Sequence, residues 1–428
     1  MTQAPARGST AGTLLVAYDA ADSTLSPLRV AEAAADLGCA PAFITAGTYR
    51  HDKVRPLLAS LGRVVDGSGG PDAALVGELR GLRPAGVVTF NEMLLPFVSR
   101  LAYALDLPAH APADLGPITR KPLQRQRLAD RGVEVVRFRE VARVDEVESA
   151  LAHVGLPAMV KPTVGAGSRG TLRVHTRAQC AAAVAEIVGP DAAARGVPGG
   201  TAIVEEFLAG AQVEHPWGDY IGVSCIVGGD DVHPFFIAGR FASADPFRER
   251  GAYGRPFRLP EPVLRAAREL ACRVVRALDV RNGVCEVELK LTSTGLRVLE
   301  LNGRLAGWVD EMAVRTGSAD PADLALRSAL GLEIPVPSGR TNGLVAFVYN
   351  VVPPMTATGV VAVGDGLLGL RALDTVERVE IHTAPGAPVD WREGTRSRVA
   401  SVSGTVADAA ELPRLVARIE NTDWIEYR

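Results

Sequence analysis

Apolar positions along the chain fall into two kinds of run, and their order predicts the fold. "TLLVAYD" is a continuous apolar strand, an alanine-rich amphipathic helix follows from about Pro27 to Leu37, and "PAFIT" is a second strand. The spacing then predicts a helix near residues 72–82, the strand "GVVTF" at 86–90 and an apolar helix from about Glu92 to Leu105. Strands alternating with helices imply an open parallel sheet, here a first unit of residues 1–115. The proline-containing segment "DLPAHAPADLGPITRKP" leads out of it.

Beyond that bridge the pattern changes. Pro122 suits the first turn of a helix and Gly132 its end, which puts Lys121 at a helix N-terminus where free N–H groups and an ammonium form an anion site. "EVARVDEVESALAHVG" is expected to be helical, "AMVKP" a strand, "AQCAAAVAEIV" a helix, and "GPDAAARGVPGG" a flexible stretch. "TAIVEEFLAG" is a strand ending in two carboxylates. The strands "DYIGVSCIVGG" and "VHPFFIAGRF" look antiparallel, and a helix from Glu261 to Leu278 precedes "NGVCEVELKLTSTGLRVLELNGRLAGW". From "TNGLVAFVYNVV" onward, strands and glycine turns alternate up to a final helix, "AELPRLVARIE".

Two stretches carry candidate chemistry. Gly165, Gly167 and Gly170 have G-x-G-x-x-G spacing, but "TLRVHT" after them alternates like a strand, so they mark the tip of a hairpin and not the strand-to-helix turn of a dinucleotide fingerprint. A glycine-rich hairpin can close backbone N–H groups over phosphate oxygens. In the second stretch, Glu286, Glu288 and Lys290 share one strand face, and Glu300, Asn302 and Arg304 share another. A three-residue Ser-Thr-Gly loop with Gly295 left-handed would pair 290 with 298, 288 with 300 and 286 with 302. Glu288 then faces Glu300. Opposed carboxylates repel unless a cation lies between them, and an all-oxygen set completed by Asn302 suits Mg²⁺ bridging phosphates better than zinc.

Composition narrows the field. The 428 residues exceed one ordinary core, and 46 basic against 49 acidic residues give a net charge of −3 with no basic stripe for nucleic acid. The N-terminus lacks a secretory pattern and no run approaches a membrane span, so a cytoplasmic protein is expected. Five widely spaced cysteines fit buried thiols. Only four of the 46 basic residues are lysines: Lys53, Lys121, Lys161 and Lys290. A surface charge accepts arginine, whereas a phosphate pocket sized for an ammonium does not, so surviving lysines are candidates for such a pocket. Lys53, in a polar segment, is taken as chance survival.

These residues resemble the ATP-grasp superfamily, and within it carboxylate–amine ligases similar to bacterial L-amino acid ligases, with ordered motifs over about residues 85–335. The resemblance implies an N-terminal open parallel α/β domain (1–115), a two-part α+β ATP-binding core (116–205 with the flap, 206–335 with the metal and substrate site) and a C-terminal antiparallel β/α lid (336–428). It implies that Lys121 and Lys161 bind nucleotide, that Gly165, Gly167, Ser168 and Gly170 cover the phosphates, and that Glu205, Glu206, Phe207 and Leu208 hold adenine. Glu288, Glu300 and Asn302 match magnesium ligands, Arg304 the arginine that stabilises the transferring phosphoryl group, and Trp308 a residue shaping the substrate pocket. The ribose-binding position is Gln212 here, with Glu214 two residues on as the alternative. Arg240, Arg248 and Glu249 are the substrate candidates.

The implied reaction uses ATP and two Mg²⁺ ions, with Mn²⁺ as a substitute, to join a small-molecule carboxylate, that of an amino acid, to an amine through an acyl phosphate. The partners are these small molecules, with no nucleic acid and no membrane, and a homodimer is compatible with the reading. Two alternatives stay open: a biotin-carboxylase-like enzyme and a non-catalytic nucleotide-binding regulator.

Overall fold

A computed structural model describes residues 12–19, 23–46, 53–190, 192, 200–254, 259–337, 339–420 and 424–428. The expected flexible stretch at 189–200 falls mostly outside them. The first unit is a four-stranded parallel sheet in the order Arg63–Asp66, Ala40–Thr45, Thr13–Tyr18, Pro84–Thr89. Its central strand is apolar on both faces because helices cover both, leaving Leu14, Leu15 and Val16 fully buried. The sequence pattern did not reveal Arg63–Asp66, a four-residue edge strand with charged ends. The helix Leu95–Leu105 closes this unit, entered through a 3-10 turn, Glu92–Leu94, which Asn91 caps by accepting from the Met93 N–H at 2.9 Å.

A second, antiparallel sheet runs Phe138–Val141, Ala202–Glu206, Ala158–Pro162, Leu172–Val174. The helix expected through residues 140–155 is therefore shorter. Phe138–Val141 pairs along Ala202–Glu205, and the helix occupies only Val147–Val154. Glu146 marks the boundary: its carboxylate accepts from the N–H groups of Ala142 and Arg143, turning the chain out of the strand. Ala158–Pro162 and Leu172–Val174 form the arms of the glycine hairpin, where Gly165, Gly167, Ser168 and Gly170 all have positive φ.

The largest sheet has eight strands in the order Gly295–Asn302, Asn282–Thr292, Trp217–Gly228, Asp231–Phe241, Gly251–Gly254, Val345–Val351, Ala400–Val406, Val376–Ile381. The C-terminal strands thus extend the same sheet that carries the acidic hairpin. On one face of its C-terminal part lie Leu412, Leu415, Val416 and Ile419, the apolar stripe of the helix Leu412–Ile419.

In the acidic hairpin, Glu288 pairs with Glu300 and Glu286 with Asn302, while Lys290 pairs with Arg297 and not with residue 298. Two departures compensate. Thr292 pairs with Gly295, so the loop is the two residues Ser293 and Thr294, and a bulge between Glu288 and Leu289 leaves Leu299 without a partner. Gly295 takes φ +120° in this turn, a conformation that excludes most side chains.

Candidate active-site cleft

Glycine hairpin, acidic hairpin and the helix Lys121–Asp130 converge on a cleft of about 410 Å³, within the range of small-molecule sites. Three of the chain's four lysines, Lys121, Lys161 and Lys290, line it. A scatter of surface charge would not concentrate them so.

Each lysine is fixed by a carboxylate. Lys121, at the first turn of its helix, lies 3.3 Å from Glu300 and donates to the Gly165 carbonyl of the flap at 3.1 Å. One helical turn later on the same face, Arg125 is 2.9 Å from Glu205. Lys161 approaches the other oxygen of Glu205 at 2.5 Å. Burial of Glu205 opposes its ionisation, but Arg125 and Lys161 together hold its carboxyl down at about 2. The Glu205 side chain therefore orients two cations as well as lending its backbone to the strand. Lys290 pairs with Asp219 at 2.7 Å and lies 5.9 Å from the centre of the Tyr220 ring.

The opposed glutamates behave unequally. Burial, then the facing Glu300 and Glu249, push Glu288 well above the usual carboxylate range. Glu300 is also penalised by burial, yet Lys121 and Lys161 bring it below the usual range. Asn302 is 3% exposed, and its amide nitrogen has no hydrogen-bond partner among the described residues. Two directly paired carboxylates, one pushed up by burial and its acidic neighbours although Arg240 lies 3.8 Å away, beside an unpartnered amide, suit a hard cation with oxygen ligands. Among the described residues no three His, Cys, Asp or Glu gather as a metal-binding group, so the protein's contribution is limited to this small set.

The opposite end is apolar. Met159, Phe207, Leu208, Val213, Phe247 and Leu299 line it, and the Arg173 guanidinium lies 5.0 Å from the Phe207 ring centre. Leu299 reaches this wall because of the bulge: in a regular strand, neighbours Leu299 and Glu300 would point to opposite faces. Glu206 also lines the cleft and pairs with Arg137 at 2.7 Å.

Past Arg304 the cleft opens into a second cavity of about 290 Å³, lined by Asn91 and Glu92 from the first unit, Arg240, Glu249, Glu286 and Trp308 from the centre, and residues 380–401 from the C-terminal part. Arg240, 1% exposed, is 2.8 Å from Glu286 and 3.2 Å from Glu249, and lies 5.2 Å from the Trp308 ring centre. Arg304 is held loosely, 3.8 Å from Glu92 and 4.0 Å from Glu286. Buried atoms facing this space, including Asn91 Nδ2, Glu92 Oε2 and Trp308 Nε1, lack hydrogen-bond partners among the described residues, as expected of groups that await a ligand.

Three candidates fall elsewhere. Arg248 lines neither cavity: its guanidinium donates to the carbonyls of Asp245 and Pro353, tying a loop to the C-terminal part. Gln212 and Glu214 are both exposed and outside the cleft wall, to which Val213 between them contributes. Sequence reasoning overlooked Arg125, Asn91 and Glu92, and gave Lys290 no role beyond its place among the scarce lysines. For Lys290, lysine scarcity was the available signal.

The flap is not free-standing. Gly167 O accepts from the Thr395 N–H at 2.9 Å and the Thr395 hydroxyl at 3.3 Å. Gly394 has φ +60°, and a Cβ there would stand 2.0 Å from Gly167 O, so the C-terminal turn rests directly on the flap backbone. Arg392 adds an ion pair to Glu186 at 3.3 Å.

Comparison with known proteins agrees with this architecture. Residues 154–311 match the ATP-grasp domain family. An L-amino acid ligase from Bacillus licheniformis superposes with a TM-score of 0.77, covering 97% of this chain and 99% of that one at 20% identity, a likeness of fold. An uncharacterized protein of Sinorhizobium fredii, y4rH, is 26% identical over 366 residues, 82% of this chain and 71% of its own length. Human carnosine synthase 1 is 26% identical over 311 residues, 67% of this chain and 36% of that protein. No helix among the described residues is long and apolar enough to cross a membrane.

Proposed function

We propose that the chain is an ATP-dependent ligase that joins a carboxylate, that of an amino acid, to an amine through an acyl phosphate, releasing ADP and phosphate. The observation that carries this reading is the convergence of Lys121, Lys161, the glycine flap and the Glu288/Glu300 pair in one cleft that continues past Arg304 into a second polar cavity. The names of the L-amino acid ligase and carnosine synthase relatives support it.

The apolar wall around Phe207, Leu208 and Leu299 suits adenine, and the lysines and flap N–H groups suit the phosphates. Lys121, Lys161 and Arg304 offset negative charge on the γ-phosphoryl oxygens as they pass to the substrate carboxylate. A magnesium ion would be held by Glu288, Glu300 and Asn302 and would supply further neutralisation among the phosphate oxygens. The flap shields the acyl phosphate from water, which would otherwise hydrolyse it. The amine then attacks the acyl carbon, the C–O bond to phosphate breaks, and the nitrogen loses a proton. We assign the first cavity mainly to the units 116–205 and 206–335, and the outer wall of the second to 336–428.

The test is ADP release over pairs of amino acids. ADP that depends on both an acid and an amine, with an amide product of matching mass, is the expected result. ADP formed only with bicarbonate and biotin would transfer the chain to carboxylation, and nucleotide binding without turnover would make it a regulator.

A further inference from the structure

The second cavity has ends of different polarity. Its inner end, shared with the nucleotide cleft, carries Glu249, Glu288 and Arg304. Its outer end is built by the C-terminal part and carries His382, Arg396 and Arg398 with Glu380 and Glu393. Most of these have partners within the protein: Glu380 is 3.3 Å from Arg378, and His382 is 2.8 Å from the Ser401 hydroxyl.

Arg398 differs. No carboxylate among the described residues lies within 4.0 Å of its guanidinium, whose hydrogen bond goes from Nη1 to the Thr395 carbonyl at 3.2 Å. Burial lowers its pKa, a nearby Arg–carboxylate pair being unavailable to offset the cost, with Glu380 the only opposing charge. Its mounting is rigid on both sides. Val399, fully buried, donates to Val351 O at 2.8 Å at the start of a central-sheet strand, and Ser397 bonds the Gly394 carbonyl at 2.8 Å, where the turn docks on the flap. A cation held in place, facing a cavity and with no carboxylate in contact among the described residues is arranged for an anionic ligand.

We propose that Arg398 reads a carboxylate on the amine-bearing substrate, so that the acceptor is an amine that carries an acid group, such as an amino acid, and not a neutral or cationic amine. This rests on the ligase reading. The activated carboxylate must lie beside Arg304 at the inner end, where the cavity joins the nucleotide cleft, which leaves the outer end to the substrate that arrives second. A guanidinium fork matches a carboxylate with two parallel hydrogen bonds, a geometry lysine cannot reproduce. Arg398 lies outside the 154–311 segment that matches the ATP-grasp domain family, and its role was not legible in the motif pattern.

The test measures ADP release and product mass with the standard L-amino acids as donors and, as acceptors, the same amino acids, their α-carboxamides and the corresponding decarboxylated amines. Wild type is expected to use the carboxylate form with a kcat/KM higher by about tenfold or more, the scale of one charge-assisted contact. R398Q is expected to erase that preference through a raised acceptor KM, with R398K retaining part of it. Equal use of acids and carboxamides by wild type, or a loss in R398Q that falls alike on all acceptors, overturns the proposal while leaving the ligase reading in place. Should R398Q not fold, the wild-type preference and R398K decide. ADP release with no pair overturns the ligase reading and this proposal together.

Discussion

Glu300→Gln is expected to lower ADP release by at least about 100-fold, the scale of losing one preorganised electrostatic contact in an active site, while circular dichroism stays that of wild type. The substitution keeps the shape and removes the charge. Glu300 is the ionised member of the opposed pair, 3.3 Å from Lys121, and the Glu288 facing it is held high partly by that same charge. In the variant, Glu288 should ionise more readily, so a fall in its pKa is a second readout, taken by carboxyl-region NMR. Turnover at the wild-type rate would show that the pair plays no part in the chemistry. Unfolding would show that its role is structural.

Lys161→Arg is expected to weaken binding of a non-hydrolysable ATP analogue by roughly tenfold or more, equivalent to about 1.4 kcal/mol, although the charge is preserved. Lys161 is nearly buried and clamped 2.5 Å from Glu205, whose second oxygen already engages Arg125. A guanidinium would be drawn into bidentate pairing with Glu205 and would present its plane, not a compact ammonium, to the phosphates. Calorimetric titration reads the affinity directly. An unchanged dissociation constant would reduce the scarcity of lysine to coincidence.

The parts legible in the sequence were those set by short periods. Period-two alternation placed Glu288 opposite Glu300 and Glu286 opposite Asn302 even though the turn was misread, because the shorter loop and the bulge at Leu299 shift the register in opposite senses. Neither departure has a local signature: Ser-Thr-Gly closes either loop, and a bulge is decided by what the strand packs against. The strand Phe138–Val141 was hidden for a related reason, since its apolar-polar-polar-apolar spacing also fits a helix until Glu146 caps the turn. Contacts between distant segments left no trace at all. Arg125 meets Glu205 across 80 positions and Thr395 meets Gly167 across 228, so neither the positioning of Lys161 nor the outer wall of the second cavity was readable from spacing.

The central claim is that the carboxylate is activated as an acyl phosphate. Lys121, Lys161, Arg304 and the Glu288/Glu300 pair line one cleft beside the glycine flap; in the proposed reading the flap would cover the terminal phosphates, which would place positive charge at the γ-phosphoryl group and not at the α-phosphorus. Incubating the protein with ATP, Mg²⁺, a productive amino acid and hydroxylamine in place of the amine, then separating the nucleotides by chromatography, tests this directly. A hydroxamate with ADP and phosphate in equal amounts is the expected result, whereas AMP and pyrophosphate would contradict the account.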